Sequence, residues 1–246
     1  MAHDPGGLVM TAVREVLGAR LDAFVLYGSS ASGDLLPGYS DLDVLIALNE
    51  PITLADTLAL QHAVEAIALE PYSYCQPTFV LGEPVRPLLS PGTFQVLTGA
   101  ISQERWVCRA DDLRARSEAW LDDLPRLVTS DAGDWAMTTR ALLRRQARLH
   151  LTRVKPSLRA LLVRAGCEPV RAWAGTWQQI ATWLTPVDEA LADQVDRLLQ
   201  EARARRDRPV AEMALRVLSR VCTEHLPEDG SGGYLKLSSP DRHSHG

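Results

Sequence analysis

Every stretch of this 246-residue sequence that reads as a β-strand falls before residue 110, and almost everything after it reads as helix. Leu21–Tyr27 (LDAFVLY) is a short apolar run that stops at Gly28, and Asp41–Leu48 (DLDVLIAL) is a second. Ser73–Leu81 (SYCQPTFVL) is a third, which Pro77 limits to an edge or interrupted position because proline cannot donate to a ladder. Residues 8–20 and 53–69 have helical spacing. Pro37-Gly38 signals a turn, and Pro84, Pro87 and Pro91 punctuate a connection. Beyond it, Gly92–Gln103 is expected to be helical and Arg105–Arg109 a short strand. From 111 to 226 the expected helices are 111–128, 133–154, 157–165, 170–184, 187–206 and 209–225, with Pro156 separating the second from the third and further breaks at Gly166, Pro186 and Pro209. The expected fold class is therefore α+β: a small mixed sheet with flanking helices over 1–110, an all-α helical bundle over 111–229, and a flexible Gly-, Ser- and His-rich tail over 230–246 that includes His243 and His245.

Charge follows the same division. Residues 1–110 hold 5 Arg, no Lys and 12 Asp or Glu, a net −7, whereas 111–246 carry a net +2. An acidic first part holds a phosphate only with help from a cation. A net +2 is a weak footprint for nucleic acid, so any such contact would fall to the Arg-rich helical part. No apolar run approaches the roughly 18 residues of a spanning helix. With no basic n-region at the start, no signal peptide or membrane association is expected. The four cysteines are far apart and form no CxxC pair, which points to free thiols in a reducing, cytoplasmic setting.

The chemistry concentrates between residues 27 and 45. A strand that ends in Gly28-Ser29 lets the backbone approach a phosphate and places a hydroxyl at a helix start. Asp41 and Asp43 follow, two apart, so a strand turns both carboxylates to one face. Carboxylates that close repel, and a shared cation relieves the repulsion; Mg²⁺ takes few protein ligands and leaves positions for phosphate oxygens.

The run Tyr27-Gly28-Ser29-Ser30-Ala31-Ser32-Gly33-Asp34-Leu35-Leu36-Pro37-Gly38-Tyr39-Ser40-Asp41-Leu42-Asp43-Val44-Leu45 resembles the polymerase-β-type nucleotidyltransferase superfamily. It is most similar to the aminoglycoside nucleotidyltransferases and to the minimal nucleotidyltransferases often paired with HEPN proteins. The resemblance implies an NTP as substrate or ligand, Mg²⁺ or Mn²⁺ on Asp41 and Asp43, nucleotide contacts at Gly28, Ser29 and Ser40, and transfer of NMP to a hydroxyl-bearing acceptor, a small molecule or a protein, with a homodimer as an open arrangement. It also implies a third carboxylate on the next strand, as metal ligand and base. Gln76 aligns there, and a neutral amide takes up no proton. Glu70 and Glu83 are the nearest other acids. The alternative reading is a catalytically impaired nucleotide-binding or regulatory protein of the fused minimal-nucleotidyltransferase/HEPN type. A third is a HEPN-like ribonuclease using Arg145 with His150 or Arg220 with His225, although residues five apart are poor neighbours on a helix. Arg140, Arg144 and Arg148 form a stripe expected to be a solvated face, the other option being a substrate or phosphate contact. Trp173, Trp177 and Trp183 are expected in a core or interface.

Overall fold

The computed structural model describes residues 4–226; the expected tail over 230–246 lies outside them. Four strands form one sheet in the order β3-β2-β1-β4: β1 (Leu21–Tyr27), β2 (Leu42–Leu48), β3 (Cys75–Leu81) and β4 (Phe94–Gly99). β1 pairs antiparallel with β2 and β4, and β2 pairs parallel with β3. The sheet is mixed, and Pro77 lies on an edge strand as its chemistry requires.

Period-two alternation assigns the two faces. On β2, Leu42, Val44, Ile46 and Leu48 join Phe24 of β1 in a core with Val9, Val13 and Leu17 of α1 (Pro5–Leu17) and Leu60 of α3 (Leu54–Glu65). The opposite face carries Ala23, Val25, Leu45 and Ala47, which bury against Leu89 and Trp106. Asp43 shares the parity of Leu45, so at the open end of this second face a carboxylate takes the place of an apolar side chain.

Two expectations about the segment after residue 91 are corrected. Gly92–Gln103 is no helix: Phe94–Gly99 is β4, because Phe94-Gln95-Val96-Leu97-Thr98 suits a pleated surface and completes the free edge of β1. Arg105–Arg109 is no strand either. Gln103–Trp106 is one helical turn, α4, that buries Trp106, and the segment's β-character is limited to an isolated bridge between Leu89 and Val107.

The helices that follow are α5 (Ala110–Ala136), α6 (Leu143–Arg164), α7 (Pro169–Ala174), α8 (Trp177–Leu184), α9 (Glu189–Arg203) and α10 (Asp207–His225). Pro156 does not split a helix, contrary to expectation. It lies inside α6. Its missing N–H leaves the Thr152 carbonyl without its helical donor, but Thr152 and Pro156 both border an open cleft. On the other side of the helix Val154, Leu158, Leu161 and Leu162 are fully buried, and their burial outweighs one lost bond. Pro125 sits inside α5 in the same way. The segment expected as one helix over 170–184 is two, α7 and α8, parted at Gly175. No helix among the described residues is long and apolar enough to cross a membrane.

Leu36 and Tyr39, from the spacer between α2 (Ser29–Ser32) and β2, are buried in the helical core and not against the sheet. This short spacer is the joint between the sheet and the bundle.

Candidate functional site

A cleft of about 410 Å³ opens where the end of the sheet meets α6 and α8. Its sheet wall includes Gly28, Ser29, Ser40, Asp41, Asp43 and Gln76, the six positions at which the resemblance implies nucleotide, metal or base roles. Asp41 immediately precedes β2 and Asp43 is its second residue. Gln76 is the register partner of Asp43 on β3, and so lies on the same face.

Gly28 adopts φ +65, open to glycine at little cost, and a Cβ there would come 2.7 Å from Asp43 Oδ2. The Asp43 carboxylate thus occupies the space that a side chain at position 28 would need. Ser29 opens the short helix α2 beside them. Ser30 Oγ donates to the Tyr27 and Asp43 carbonyls at 2.6 and 3.2 Å, which ties the turn to both strands. Ser40 Oγ accepts from the Leu36 N–H at 2.8 Å, so its hydroxyl shapes the spacer as well as bordering the cleft.

The two aspartates differ in surroundings. Asp41 is buried, which raises its pKa, while two donors oppose the shift: Ser73 Oγ at 2.7 Å from Oδ1 and Arg148 Nη1 at 3.3 Å from the same oxygen. Asp43 has no such help. Burial first, and then the charge of Asp41, push its pKa up to about 7, and among the described residues no donor is paired with its carboxylate. Gln76 is exposed and its Oε1 accepts from the Tyr74 hydroxyl at 2.8 Å. No group of three or more His, Cys, Asp or Glu converges among the described residues. Glu70 is exposed in the turn after α3 and Glu83 pairs with Arg105, and neither lines the cleft.

The bundle side of the cleft is cationic, which the sequence did not disclose. Lys155 Nζ lies 2.5 Å from Asp34 Oδ2, and the Trp177 N–H donates to the same oxygen at 2.7 Å. Lys155 sits over the Trp177 ring at 5.5 Å. Burial, together with the nearby Arg159 charge, lowers its pKa to about 8. Burial likewise lowers Arg159 to about 10, and its Nε is buried without an acceptor. Lys155 and Arg159 are i and i+4 on α6, a spacing that puts both on one face. That pattern was available to sequence reading, but nothing local pointed it at Gly28.

The Arg stripe is not simply solvated. Arg144 Nη2 donates to the Gly38 carbonyl at 3.2 Å, and Arg148 reaches Asp41 and stacks over Tyr74 at 4.1 Å; Arg140 is exposed, in a 3₁₀ turn. The tryptophans are packed as expected: Trp173 donates to Ser117 Oγ inside the bundle, Trp183 lies under Arg171, and Trp177 also borders the cleft. Of the two Arg–His pairs, only Arg220 and His225 meet. His150 is fully buried with Nδ1 3.2 Å from the Ala211 carbonyl, whereas Arg145 is exposed. Arg220 and His225 both bind Asp188, the N-cap of α9.

The family model described as "Nucleotidyltransferase domain" matches residues 11–75. No curated protein sequence matches. Among solved structures, spectinomycin adenyltransferase AAD(9) from Enterococcus faecialis, determined with ATP and spectinomycin, is similar in fold, with a TM-score of 0.52 and 12% identity over 87% of this chain and 98% of that one. The matched segment holds β1, the Gly28-Ser29 turn, Asp41 and Asp43, so the match to a nucleotidyltransferase domain falls on the sheet wall of the cleft.

Proposed function

We propose that this chain binds an NTP together with a divalent cation in the cleft and transfers its NMP to a hydroxyl-bearing acceptor, at a rate held down by Gln76. The observation that carries the reading is the pairing of Asp41 and Asp43 beside the Gly28-Ser29 turn, at one wall of a cleft whose other wall supplies Lys155 and Arg159. The similar solved structure is that of an adenyltransferase with ATP, which agrees with this class of chemistry.

The residues fit a divalent cation. Asp43 is a carboxylate with no donor among the described residues and a second carboxylate beside it, its pKa pushed up to about 7 by burial and then by the charge of Asp41, and oxygen ligands of this kind suit Mg²⁺ or Mn²⁺. Asp41 and Asp43 would hold the ion, which when bound neutralises phosphate charge and polarises the phosphoryl oxygens. The chain's own residues do the rest. Gly28 admits close approach of the phosphates to the backbone. Lys155 and Arg159 offset negative charge from the bundle side, and in a partly desolvated cleft such fixed charges act more strongly than in water. Gln76 occupies the place of a base and cannot accept the acceptor's proton. The same substitution favours a second reading, a nucleotide-binding or regulatory protein without transfer. The functional division is proposed to fall near residue 110, with the nucleotide on the sheet side and the acceptor reached from the bundle side.

Calorimetry with ATP tests the binding step. Tight binding is expected with Mg²⁺ and at least tenfold weaker binding in EDTA. Asp41→Asn and Asp43→Asn should each abolish most of the Mg²⁺ dependence with unchanged far-UV circular dichroism. Equal ATP affinity with and without Mg²⁺ would overturn the proposal.

A further inference from the structure

Arg148 is not used by the reaction as described, yet it touches the centre of the site. Its Nη1 lies 3.3 Å from Asp41 Oδ1 and 3.5 Å from Ser73 Oγ, and its guanidinium covers the Tyr74 ring at 4.1 Å. Tyr74 in turn donates to Gln76. The arginine comes from α6, four residues beyond Arg144, which is anchored on the Gly38 carbonyl. Asp41 is only 6% exposed, so its charge is partly removed from water and depends on a nearby cation. The Arg148 guanidinium supplies that cation and is held by stacking on Tyr74.

A site of three carboxylates carries enough negative charge to hold two divalent cations, the arrangement that clamps both the attacking and the leaving oxygen of a displacement. Here one of the three is the neutral Gln76, opposite Asp43 in register, and a second, Asp41, is already paired with an arginine. Of these two aspartates, only Asp43 has no donor among the described residues.

We propose that Arg148 is the standing counter-ion of Asp41, so that this site takes a single divalent cation, centred on Asp43, where a three-carboxylate site takes two. Loss of the third acid and recruitment of a cation from the bundle then compensate each other electrostatically. Arg148 acts through Asp41 and is a positioning residue. The inference rests on the transfer reading for the presence of a cation but not for its number.

Counting Mn²⁺ by electron paramagnetic resonance tests it, with the full chain and a saturating non-hydrolysable ATP analogue. One tightly bound Mn²⁺ per chain is expected for the wild type. Arg148→Gln should strengthen Mn²⁺ binding without nucleotide by about tenfold, the scale on which one nearby opposite charge shifts an ionic equilibrium. Arg148→Lys should restore wild-type affinity, which a merely structural contact would not require. The double variant Gln76→Glu with Arg148→Gln should bind two Mn²⁺ in the presence of the analogue. Circular dichroism identifies any variant that fails to fold, and Arg148→Ala then replaces Arg148→Gln. Two Mn²⁺ in the wild type, or Mn²⁺ affinity indifferent to Arg148, would overturn the inference while leaving the transfer reading intact. Absence of Mn²⁺ and ATP binding in every form would overturn both.

Discussion

Gln76 borders the cleft beside the two aspartates without carrying a charge. It lies on the face of Asp41 and Asp43, directly opposite Asp43, and accepts a hydrogen bond from Tyr74 instead of offering a charge. Gln and Glu are nearly isosteric, and Gln76 is exposed, so Gln76→Glu is tolerated sterically. It supplies a base and a further anionic ligand. General-base contributions are about 10²–10⁴-fold, so wild-type transfer is expected to be slow or absent and the variant measurably faster. Labelled ATP incubated with both forms and a panel of hydroxyl-bearing acceptors checks this. Brisk wild-type transfer, unchanged in the variant, would show that Gln76 does not limit the reaction. The position of Gln76 is legible in the sequence because two-residue alternation and strand order fix a side chain's face. The state of Asp43 is not, since its pKa depends on burial and on the distance to Asp41.

At the level of elements, the bundle holds its own termini with the residues that a ribonuclease reading would have used for catalysis. Asp188 caps α9, accepting from the Leu191 N–H, and binds Arg220 and His225 of α10. Burial alone would raise its pKa, but these donors outweigh it and lower the carboxyl to about 2. A carboxyl whose folded pKa lies below its unfolded value of about 3.9 stabilises fully above that value. The contribution is lost as pH falls from about 4 towards about 2. Asp188→Ala is therefore expected to cost about 2–3 kcal/mol near neutrality, combining a lost N-cap with lost charge-assisted bonds, and the difference from wild type should shrink below pH 4. Urea denaturation at several pH values measures it, and a difference independent of pH between 2 and 7 would refute the assignment. Among the elements, the strand at 94–99 is hidden from sequence reading because strand character there depends on pairing with a distant partner, β1, and not on local spacing. Pro156 misleads for the same kind of reason, since burial of the far side of α6 is invisible locally.

Across the whole molecule, the spacer 33–41 joins sheet to bundle through contacts that lie far apart in sequence. Asp34 meets Lys155 and the Trp177 N–H, the Tyr39 hydroxyl donates to Asp207 at 2.7 Å, and Leu36 and Tyr39 enter the bundle core. Asp34→Ala would leave Lys155 without its carboxylate in a poorly solvated place beside Arg159, and breaking such a pair costs about 3–5 kcal/mol. A loss of that size in thermal or chemical unfolding, accompanied by weaker ATP binding, is the expected outcome; unchanged stability would show that the joint does not depend on this pair. The sequence by itself determined the α+β class, three of the four strands, and the grouping of Gly28, Ser29, Asp41, Asp43 and Gln76, because these follow from short-range periodicity and from a motif about 20 residues long. Only the tertiary structure decided the cationic wall of Lys155 and Arg159, the pairing of Arg148 with Asp41 and the fourth strand. Each of these depends on which surfaces come together when α6 folds back across the open end of the sheet, and that choice is made by burial summed over the whole chain.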